Sequence, residues 1–194
     1  MNRRHLLMLT LPALVAPLVA PMPLLAAPAK PKANAAGPDP YAPTEVAIRP
    51  DFEVGSIVVV SKDFFLYHVI APGQAIRYGV AVGTAELVWK GRARVGRKTE
   101  WPSWKPTPAM VKRKPEQYGK YAENGMPGGP TNPLGARALY LFDANGNDTS
   151  IRIHGTTEPN SIGRAVSNGC IRMRNPAVIA LFDQTPVGTP VYVY

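Results

Sequence analysis

Cysteine is nearly absent from this chain, because Cys170 is the only one among its 194 residues. A single thiol excludes an intramolecular disulfide framework of the kind that stabilises many small exported domains. With three histidines in the whole sequence, no clustered metal-ligand motif can be found, and the sequence predicts no metal site. On composition alone, a lone cysteine favours a buried thiol that packs as a small hydrophobic side chain.

Acidic residues are scarce as well, with 13 Asp and Glu against 22 Lys and Arg, for a formal net charge of +9. Arg3 and Arg4 supply two of these charges, which leaves about +7 for the rest of the chain. A basic domain of this kind is attracted to anionic surfaces such as cell wall or lipid headgroups. The Lys and Arg residues are scattered instead of clustered on one helix, so no nucleic-acid partner is predicted.

Charged residues are missing altogether from residues 6–27, which follow the basic start Asn2–His5 and end in small residues. This is the pattern of a secretory signal peptide, so we assign residues 1–27 to a signal and expect export to the periplasm or cell envelope. Four prolines interrupt the apolar run and argue against a stable membrane-spanning helix, although an uncleaved anchor is the alternative. Arg3–Arg4 fits either a Sec or a twin-arginine signal.

Large apolar side chains are few in residues 28–50, which are rich in Pro and Ala. Such a segment cannot bury enough apolar surface to fold, so we predict a linker. Residues 51–194 remain as a single domain with a core of its own, and they contain no internal repeat.

Long helical patterns are also missing from the domain. Short runs rich in β-branched and aromatic residues, separated by polar turns, predict strands. Only residues 176–183 have a helical pattern, with Pro176 near the helix start and Asn175 as the candidate cap. The sequence therefore predicts a mainly-β sandwich or barrel with one or two short helices. The predicted strands cover residues 56–60, 64–70, 75–82, 138–142, 151–154 and 190–194.

Residues 96–134 break this pattern, because they combine Trp101 and Trp104 with many prolines and a Gly128–Pro130 turn. Irregular segments of this length inside a domain usually cover or bind something. The alternative is that the two tryptophans only seal an edge of the core.

The residues that indicate chemistry lie in the run HGTTEPNSIGRAVSNGCIRM, from His154 to Met173. A thiol with a histidine at the end of a predicted strand has the parts of a nucleophile and its base. Gly169 would let the backbone expose the sulfur, and neighbouring amides could stabilise an oxyanion. On the residues alone, this reading competes with a buried cysteine and an unrelated histidine. His68, inside a predicted strand, is interpreted as a packing or surface residue.

This run resembles the signature of the L,D-transpeptidase catalytic domain, the YkuD family, which has a His-Gly-Thr, a Ser-Ile-Gly and a Ser-His-Gly-Cys followed by an aliphatic residue and Arg. The segments FFLYHVIAPGQAIRYGVAVG and GPTNPLGARALYLF are also similar to that family, so the resemblance covers residues 56–194. It implies the YkuD-like β fold. It also implies that Cys170 is the nucleophile, that His154 is the base, and that the Gly155 carbonyl orients the imidazole.

The resemblance gives the neighbouring residues supporting roles. Ser167 and Gly169 would support the turn that carries the nucleophile, although Ser167 could equally be a turn hydroxyl bonded to its own backbone. Arg172 would support the site or meet a substrate carboxylate, with a structural ion pair as the alternative. Asn168 departs from the family pattern, which has His there, and we interpret the amide as a substitute that preserves geometry through hydrogen bonds.

The resemblance further implies a cell-wall enzyme that acts on peptidoglycan stem peptides through a cysteine thioester, without a cofactor. An amine of a second stem would complete a 3→3 cross-link, a protein lysine would attach a protein to the wall, and water would give L,D-carboxypeptidase activity. The competing hypotheses are a non-catalytic peptidoglycan-binding module and a cysteine hydrolase of another exported amide. The sequence does not predict the acceptor, the donor length or the oligomeric state.

Overall fold

The computed structural model describes residues 38–194, so the predicted signal peptide and the first part of the predicted linker lie outside the described residues. No helix in residues 38–194 is long and apolar enough to cross a membrane. The strands are β1 Thr44–Ala47, β2 Ile57–Val60, β3 Phe65–Ala71, β4 Gln74–Gly79, β5 Val82–Gly83, β6 Gly91–Glu100, β7 Arg137–Phe142, β8 Asp148–His154, β9 Ala165–Ser167, β10 Ile171–Arg172 and β11 Pro190–Val193. The α-helices are α1 Pro108–Arg113, α2 Pro115–Tyr118 and α3 Asn175–Gln184.

Nine of these strands form one mixed sheet in the order β1-β4-β3-β2-β11-β6-β7-β8-β10, and β5 and β9 form a separate parallel pair. Within the large sheet, β11 runs parallel to β2 and β10 runs parallel to β8, while the other pairs are antiparallel. Ala81, just after β4, exchanges two backbone hydrogen bonds of 2.9 and 2.8 Å with Arg172 on β10. The sheet therefore curls until strands from its two ends meet, and the mainly-β prediction is confirmed.

The core forms because strands such as β8 place alternate residues on opposite faces of the sheet. Ile151 and Ile153 of β8 are buried with Leu139 of β7 and Leu181 of α3. Burying a side chain of this size stabilises a fold by roughly 1.5 to 3 kcal/mol. Arg152 and His154 of β8 are left on the opposite face of the sheet.

Helix α3 confirms the predicted helix over residues 176–183 and extends it by one residue at each end. Asn175 is not its cap, because its side-chain oxygen accepts a hydrogen bond from the Ala136 backbone at 3.0 Å and the cap position is Arg174. Two further helices, α1 and α2, lie in the segment predicted to be irregular, so the structure has three α-helices in residues 38–194 where one or two were expected. Thr107 caps α1 by accepting from the Met110 amide at 3.2 Å.

The predicted linker over residues 28–50 is wrong for its C-terminal part, because β1 adds to the large sheet next to β4. Ahead of β1, the Tyr41 ring packs against Phe65 with ring centroids 5.8 Å apart. It also occupies the space that a Cβ would need at Gly79 and Gly163. Asp39 forms an ion pair with Arg174. The segment belongs to the folded domain because tertiary partners compensate for its poor local apolar content.

Strand β6 was also missed, since its sequence GRARVGRKTE has only two apolar side chains and no clear strand pattern. It pairs with β11 on one side and β7 on the other, so its backbone is satisfied by neighbours that are distant in sequence.

We predict that a chain beginning at residue 51 is less stable than one beginning at residue 38. The shorter chain loses β1, the Tyr41 contacts and the ion pair of Asp39, which together should lower the free energy of unfolding by about 2 kcal/mol or more. Urea unfolding followed by fluorescence measures the difference. Equal stability of the two chains would show that residues 38–50 do not contribute to the domain, and Tyr41→Ala in the longer chain separates the part played by the ring.

Candidate functional site

The parallel pairing of β10 with β8 brings the two ends of the run from His154 to Met173 together. Arg172 lies opposite His154, and Ile171 lies opposite Ile153. Cys170 directly precedes β10, which places it level with Arg152 of β8, two residues before His154. Both Cys170 and His154 line a cavity of about 730 Å³. The structure therefore brings the predicted thiol and imidazole to one cavity.

His154 is buried, and its Nδ1 lies 2.6 Å from the Gly155 carbonyl oxygen. Because a carbonyl can only accept, Nδ1 carries the proton and Nε2 is left with a free lone pair. Burial lowers the pKa of His154 to about 4, against the opposing effect of the Gly155 carbonyl and with a smaller contribution from the charge of Arg172. The ring is therefore neutral near pH 7 and can accept a proton.

Gly155 cannot be replaced without moving its surroundings. A Cβ at this position would overlap the Asn175 side-chain oxygen and approach the Ala136 amide to 3.0 Å. The same Asn175 oxygen accepts the hydrogen bond from the Ala136 amide. The first residue of α3 therefore holds the loop ahead of β7 next to Gly155, whose carbonyl orients His154. The expected contact between Gly155 and the imidazole is present, and α3 supports it.

Cys170 is partly exposed, and its Sγ donates a weak hydrogen bond of 3.8 Å to the Ser150 carbonyl oxygen. Ser150 holds this carbonyl with a left-handed φ of 63°, which is unusual for a residue other than glycine. Burial raises the pKa of the Cys170 thiol, while the Arg152 backbone amide and the charges of Arg152 and Arg172 oppose that rise. The resting sulfur is therefore a neutral thiol.

A short turn carries the cysteine. The Ser167 hydroxyl donates to the Cys170 carbonyl oxygen at 2.6 Å and accepts from the Gly169 amide at 3.1 Å. Gly169 has a left-handed φ of 115°, and a Cβ there would lie 3.0 Å from the Leu87 carbonyl oxygen. The Ser167 hydroxyl thus bonds to its own turn, and Gly169 supports the turn by its conformation. Since the Gly169 amide is already engaged, it is not free to bind an oxyanion.

Arg172 extends from β10 to the cavity and forms an ion pair with Glu158 at 2.9 Å. The alternative of a structural ion pair is therefore observed. Its guanidinium still belongs to the cavity wall, and its positive charge lowers the pKa of both His154 and Cys170.

Asn168 does not bond to the turn, contrary to the expectation that its amide preserves the turn's geometry. Its side-chain oxygen accepts from the Arg113 guanidinium at 2.7 Å, and its NH₂ group donates to the Tyr118 hydroxyl at 3.4 Å. These partners lie 55 and 50 residues away in α1 and α2. Asn168 thus connects the cysteine turn to the segment predicted to cover the site.

The part of the predicted 96–134 segment that follows β6, residues 101–134, is called the cover segment below. Trp104 packs against Tyr118 and Tyr121 with ring centroids 6.0 and 5.7 Å apart, and all three line the cavity. Trp104 and Met126 exchange backbone hydrogen bonds of 2.8 and 2.6 Å. Trp101, by contrast, is 44% exposed and does not line the cavity. The cover interpretation therefore holds for Trp104 and its aromatic partners.

Several cavity residues were missed by the sequence analysis, namely Arg97, Tyr140, Ser150 and Arg152. Arg152 could have been found, because it lies two residues before His154 on a strand and must share its face. The others depend on strand register, which the sequence does not show. His68 is buried in β3 and does not line the cavity, and His5 lies outside the described residues. Within residues 38–194, no group of three or more His, Cys, Asp or Glu is placed to hold a metal ion.

Comparison with known proteins agrees with this geometry. The family model of the L,D-transpeptidase catalytic domain, YkuD, matches residues 55–193. Probable L,D-transpeptidase ErfK/SrfK of Escherichia coli is 35% identical over 149 residues, which cover 75% of this chain and 46% of that protein. Probable L,D-transpeptidase YbiS of the same species is 33% identical over 152 residues, with coverage of 74% and 46%. The chain thus spans about half the length of the curated relatives it matches.

Solved structures show the same fold. A structure from Brucella melitensis, described as a probable carnitine operon oxidoreductase, is 47% identical, covers 78% of this chain and 92% of that one, and has a TM-score of 0.55. A mutant of the Enterococcus faecium L,D-transpeptidase is 19% identical, with coverage of 74% and 50% and a TM-score of 0.54, which is a likeness of fold. Together with the family match over residues 55–193, these relatives show that the chain belongs to the YkuD family of L,D-transpeptidase catalytic domains.

Proposed function

We propose that this protein is an L,D-transpeptidase that transfers peptidoglycan stem peptides through a thioester on Cys170. The observation that carries the proposal is that Cys170 and His154 line one cavity, with the Nδ1–H of the imidazole fixed by the Gly155 carbonyl at 2.6 Å. This arrangement leaves one ring nitrogen as the proton acceptor in a cavity large enough for a peptide.

In the first step, Sγ of Cys170 attacks the carbonyl carbon between the third residue of the stem, a diamino acid, and the terminal D-Ala. The thiol proton passes to Nε2 of His154 as the carbon–sulfur bond forms. The carbon–nitrogen bond then breaks, and the amine of D-Ala leaves with the proton from His154. A thioester remains on Cys170.

The charges around the sulfur favour this step. Arg152 and Arg172 both lower the free energy of a negative charge at Cys170, because each opposes the burial that raises the thiol pKa. Negative charge also develops on the attacked carbonyl oxygen, and cationic groups in a partly enclosed site stabilise it more strongly than they would in water. The site therefore keeps the thiol neutral at rest and supports charge when the substrate is attacked.

In the second step, an amine of a neighbouring stem attacks the thioester, and His154 accepts its proton. The amide that forms is a 3→3 cross-link, and Cys170 is released as a thiol. A protein lysine in the same position would attach that protein to the wall, and water would give carboxypeptidase activity. Both steps use only groups of this chain and its substrates, so the proposal requires no cofactor.

This proposal explains why an exported protein has one unpaired cysteine. The basic start and the uncharged apolar run of residues 1–27 support export to the periplasm or cell envelope, where peptidoglycan lies. The thiol stays free to react because no second cysteine can trap it, and its raised pKa keeps little of it as the oxidation-prone thiolate. The oxidoreductase description of the Brucella melitensis structure concerns that protein, and the cavity here holds a pair suited to acyl transfer.

We expect Cys170→Ala to abolish the release of D-Ala from a tetrapeptide muropeptide while the protein remains folded. The chain has no other thiol to replace the nucleophile, and Cys170 is partly exposed, so its loss removes little packing. Mass analysis of the reaction mixture measures D-Ala and cross-linked dimers, and circular dichroism checks the fold. D-Ala release by the folded variant would contradict the proposal, and dimers formed by the unchanged protein would distinguish cross-linking from hydrolysis.

We expect Asn168→Leu to slow the acylation of Cys170 by a carbapenem roughly 3- to 10-fold, the effect of one exposed or half-exposed hydrogen-bonded contact. The change removes the partners of Arg113 and Tyr118 and so loosens the cover segment above the cysteine turn. Arg113→Leu should have a similar effect, and the double variant should be little worse than either single one. Asn168→His, which keeps a donor and an acceptor, should stay close to the unchanged protein. Strictly additive losses would show that Asn168 and Arg113 do not act together.

A further inference from the structure

Arg97 occupies a defined place in the cavity that the proposed chemistry does not use. It lies on β6 opposite Tyr140 of β7, which in turn lies opposite Arg152 of β8. Because β10 is parallel to β8 with Arg172 opposite His154, Cys170 falls level with Arg152 at the end of the same row. A single row of residues across the sheet thus leads from Arg97 to the nucleophile.

The Tyr140 ring fixes the position of Arg97. The guanidinium carbon of Arg97 lies 3.8 Å from the ring centroid, and that of Arg152 lies 4.3 Å from it. A guanidinium stacked on an aromatic ring keeps the N–H groups at its edge free for hydrogen bonds. Tyr140 is itself buried, so Arg97 rests on a rigid platform while remaining exposed to the cavity.

The charge of Arg97 is uncompensated, unlike those of Arg152 and Arg172. Arg152 is paired with Asp148, and Arg172 is paired with Glu158. Among the ion pairs of residues 38–194 none includes Arg97, and no hydrogen-bond acceptor contacts its side chain in that part of the protein. Glu158 is the one acidic residue among the cavity-lining residues of the described chain, and Arg172 already neutralises it. A free guanidinium fork in this setting is suited to a carboxylate of the substrate.

The distance from the nucleophile indicates which carboxylate this would be. The Arg97 guanidinium lies over a residue of β7, two strand spacings or about 10 Å from the line of Cys170. The carboxylate of the leaving D-Ala is three bonds from the attacked carbon, a span of roughly 4 Å, and is too near. A carboxylate at the far end of the diamino acid's side chain is six bonds away, roughly 7 Å, and a hydrogen bond of about 3 Å completes the distance.

We propose that Arg97, held on Tyr140, binds the side-chain carboxylate of the diamino acid in the donor stem. This inference rests on the proposed transpeptidase function and narrows its substrate class. The protein selects stems whose third residue is a diamino diacid with a free carboxylate, as in the 2,6-diaminopimelate class, over stems whose third residue is lysine or carries a carboxamide there.

The experiment compares three tetrapeptide donors with the purified protein: one with the free side-chain carboxylate, one with a carboxamide in its place, and one with a carboxamide at the C-terminal D-Ala instead. Loss of the carboxylate should lower kcat/KM for D-Ala release roughly 10- to 100-fold, the effect of a charged hydrogen bond. In Arg97→Gln, the acid and the side-chain amide should be used equally well. Arg97→Lys should keep part of the preference, because the charge remains while the fork is lost.

Arg92→Gln is the matched control, because Arg92 lies on the same strand and stacks on Tyr192 at 5.9 Å but does not line the cavity. It should leave the preference unchanged. Equal use of the acid and the side-chain amide by the unchanged protein, or an unchanged preference in Arg97→Gln, would overturn the assignment. A third result would also overturn the assignment: kcat/KM falls with the carboxamide at the C-terminal D-Ala, and this fall depends on Arg97. The group recognised would then be the carboxylate of the leaving D-Ala.

Calorimetric binding of the same donors to Cys170→Ala separates the subsite from the chemistry. Cys170→Ala should bind the free acid more tightly than the side-chain carboxamide, and this difference should disappear in the double variant with Arg97→Gln. That result supports the subsite even if the protein with Cys170 releases no D-Ala. That combination would reject the transpeptidase function while retaining the carboxylate site. D-Ala release without any preference in either measurement would reject the subsite alone.

Discussion

The parallel pairing of two short segments, residues 153–154 of β8 and 171–172 of β10, is the constraint on which the site depends. It closes a loop of fifteen residues between His154 and Cys170 and places Cys170 level with Arg152, two residues before His154 on the neighbouring strand. Ala81 holds β10 from its other side through two backbone hydrogen bonds. Without this pairing the thiol and the imidazole would be unrelated groups, since no hydrogen bond between them is present in the described residues.

Burial then determines the state of the reacting groups. It disfavours both the imidazolium and the thiolate, so the pair rests uncharged, and the Gly155 carbonyl selects the tautomer with the proton on Nδ1. The charges of Arg152 and Arg172 oppose the effect of burial and lower the pKa of Cys170, so the thiolate can form during attack. The sheet that holds the pair also carries the row of Arg97, Tyr140 and Arg152, so the proposed catalysis and the proposed substrate selection rest on the same sheet.

The sequence predicted those parts of the structure that are encoded locally. Runs such as Ile57–Val60 and the helix at residues 176–183 have patterns of apolar residues that require burial, and the thiol–histidine pair follows from one motif. Strand β6 could not be found because its backbone is satisfied by distant strands and its side chains are mostly charged. Strand β1 could not be predicted from the sequence for a related reason, because an edge strand needs only one partner strand and little apolar surface.

The long-range contacts of the site could not be predicted from the sequence either. Asn168 was expected to hold its own turn, yet Ser167 does so, and the partners of Asn168 come from helices more than forty residues earlier in the chain. The row from Arg97 to Arg152 depends on a register shift between Val95 and Arg97 that sets which face each later residue of β6 occupies. A sequence pattern of period two cannot show such a shift.

The protonation state of His154 tests the account most directly. Nitrogen NMR of the protein labelled with ¹⁵N-histidine, assigned with a His154→Gln variant, reports the charge and tautomer of the ring as the pH is changed. Because burial lowers the pKa of His154 to about 4, the account predicts a neutral ring protonated on Nδ1 from pH 8 down to about pH 5, with titration only below that range. An imidazolium at pH 7 that becomes neutral in Cys170→Ala would contradict it, because the resting site would then be a thiolate–imidazolium pair.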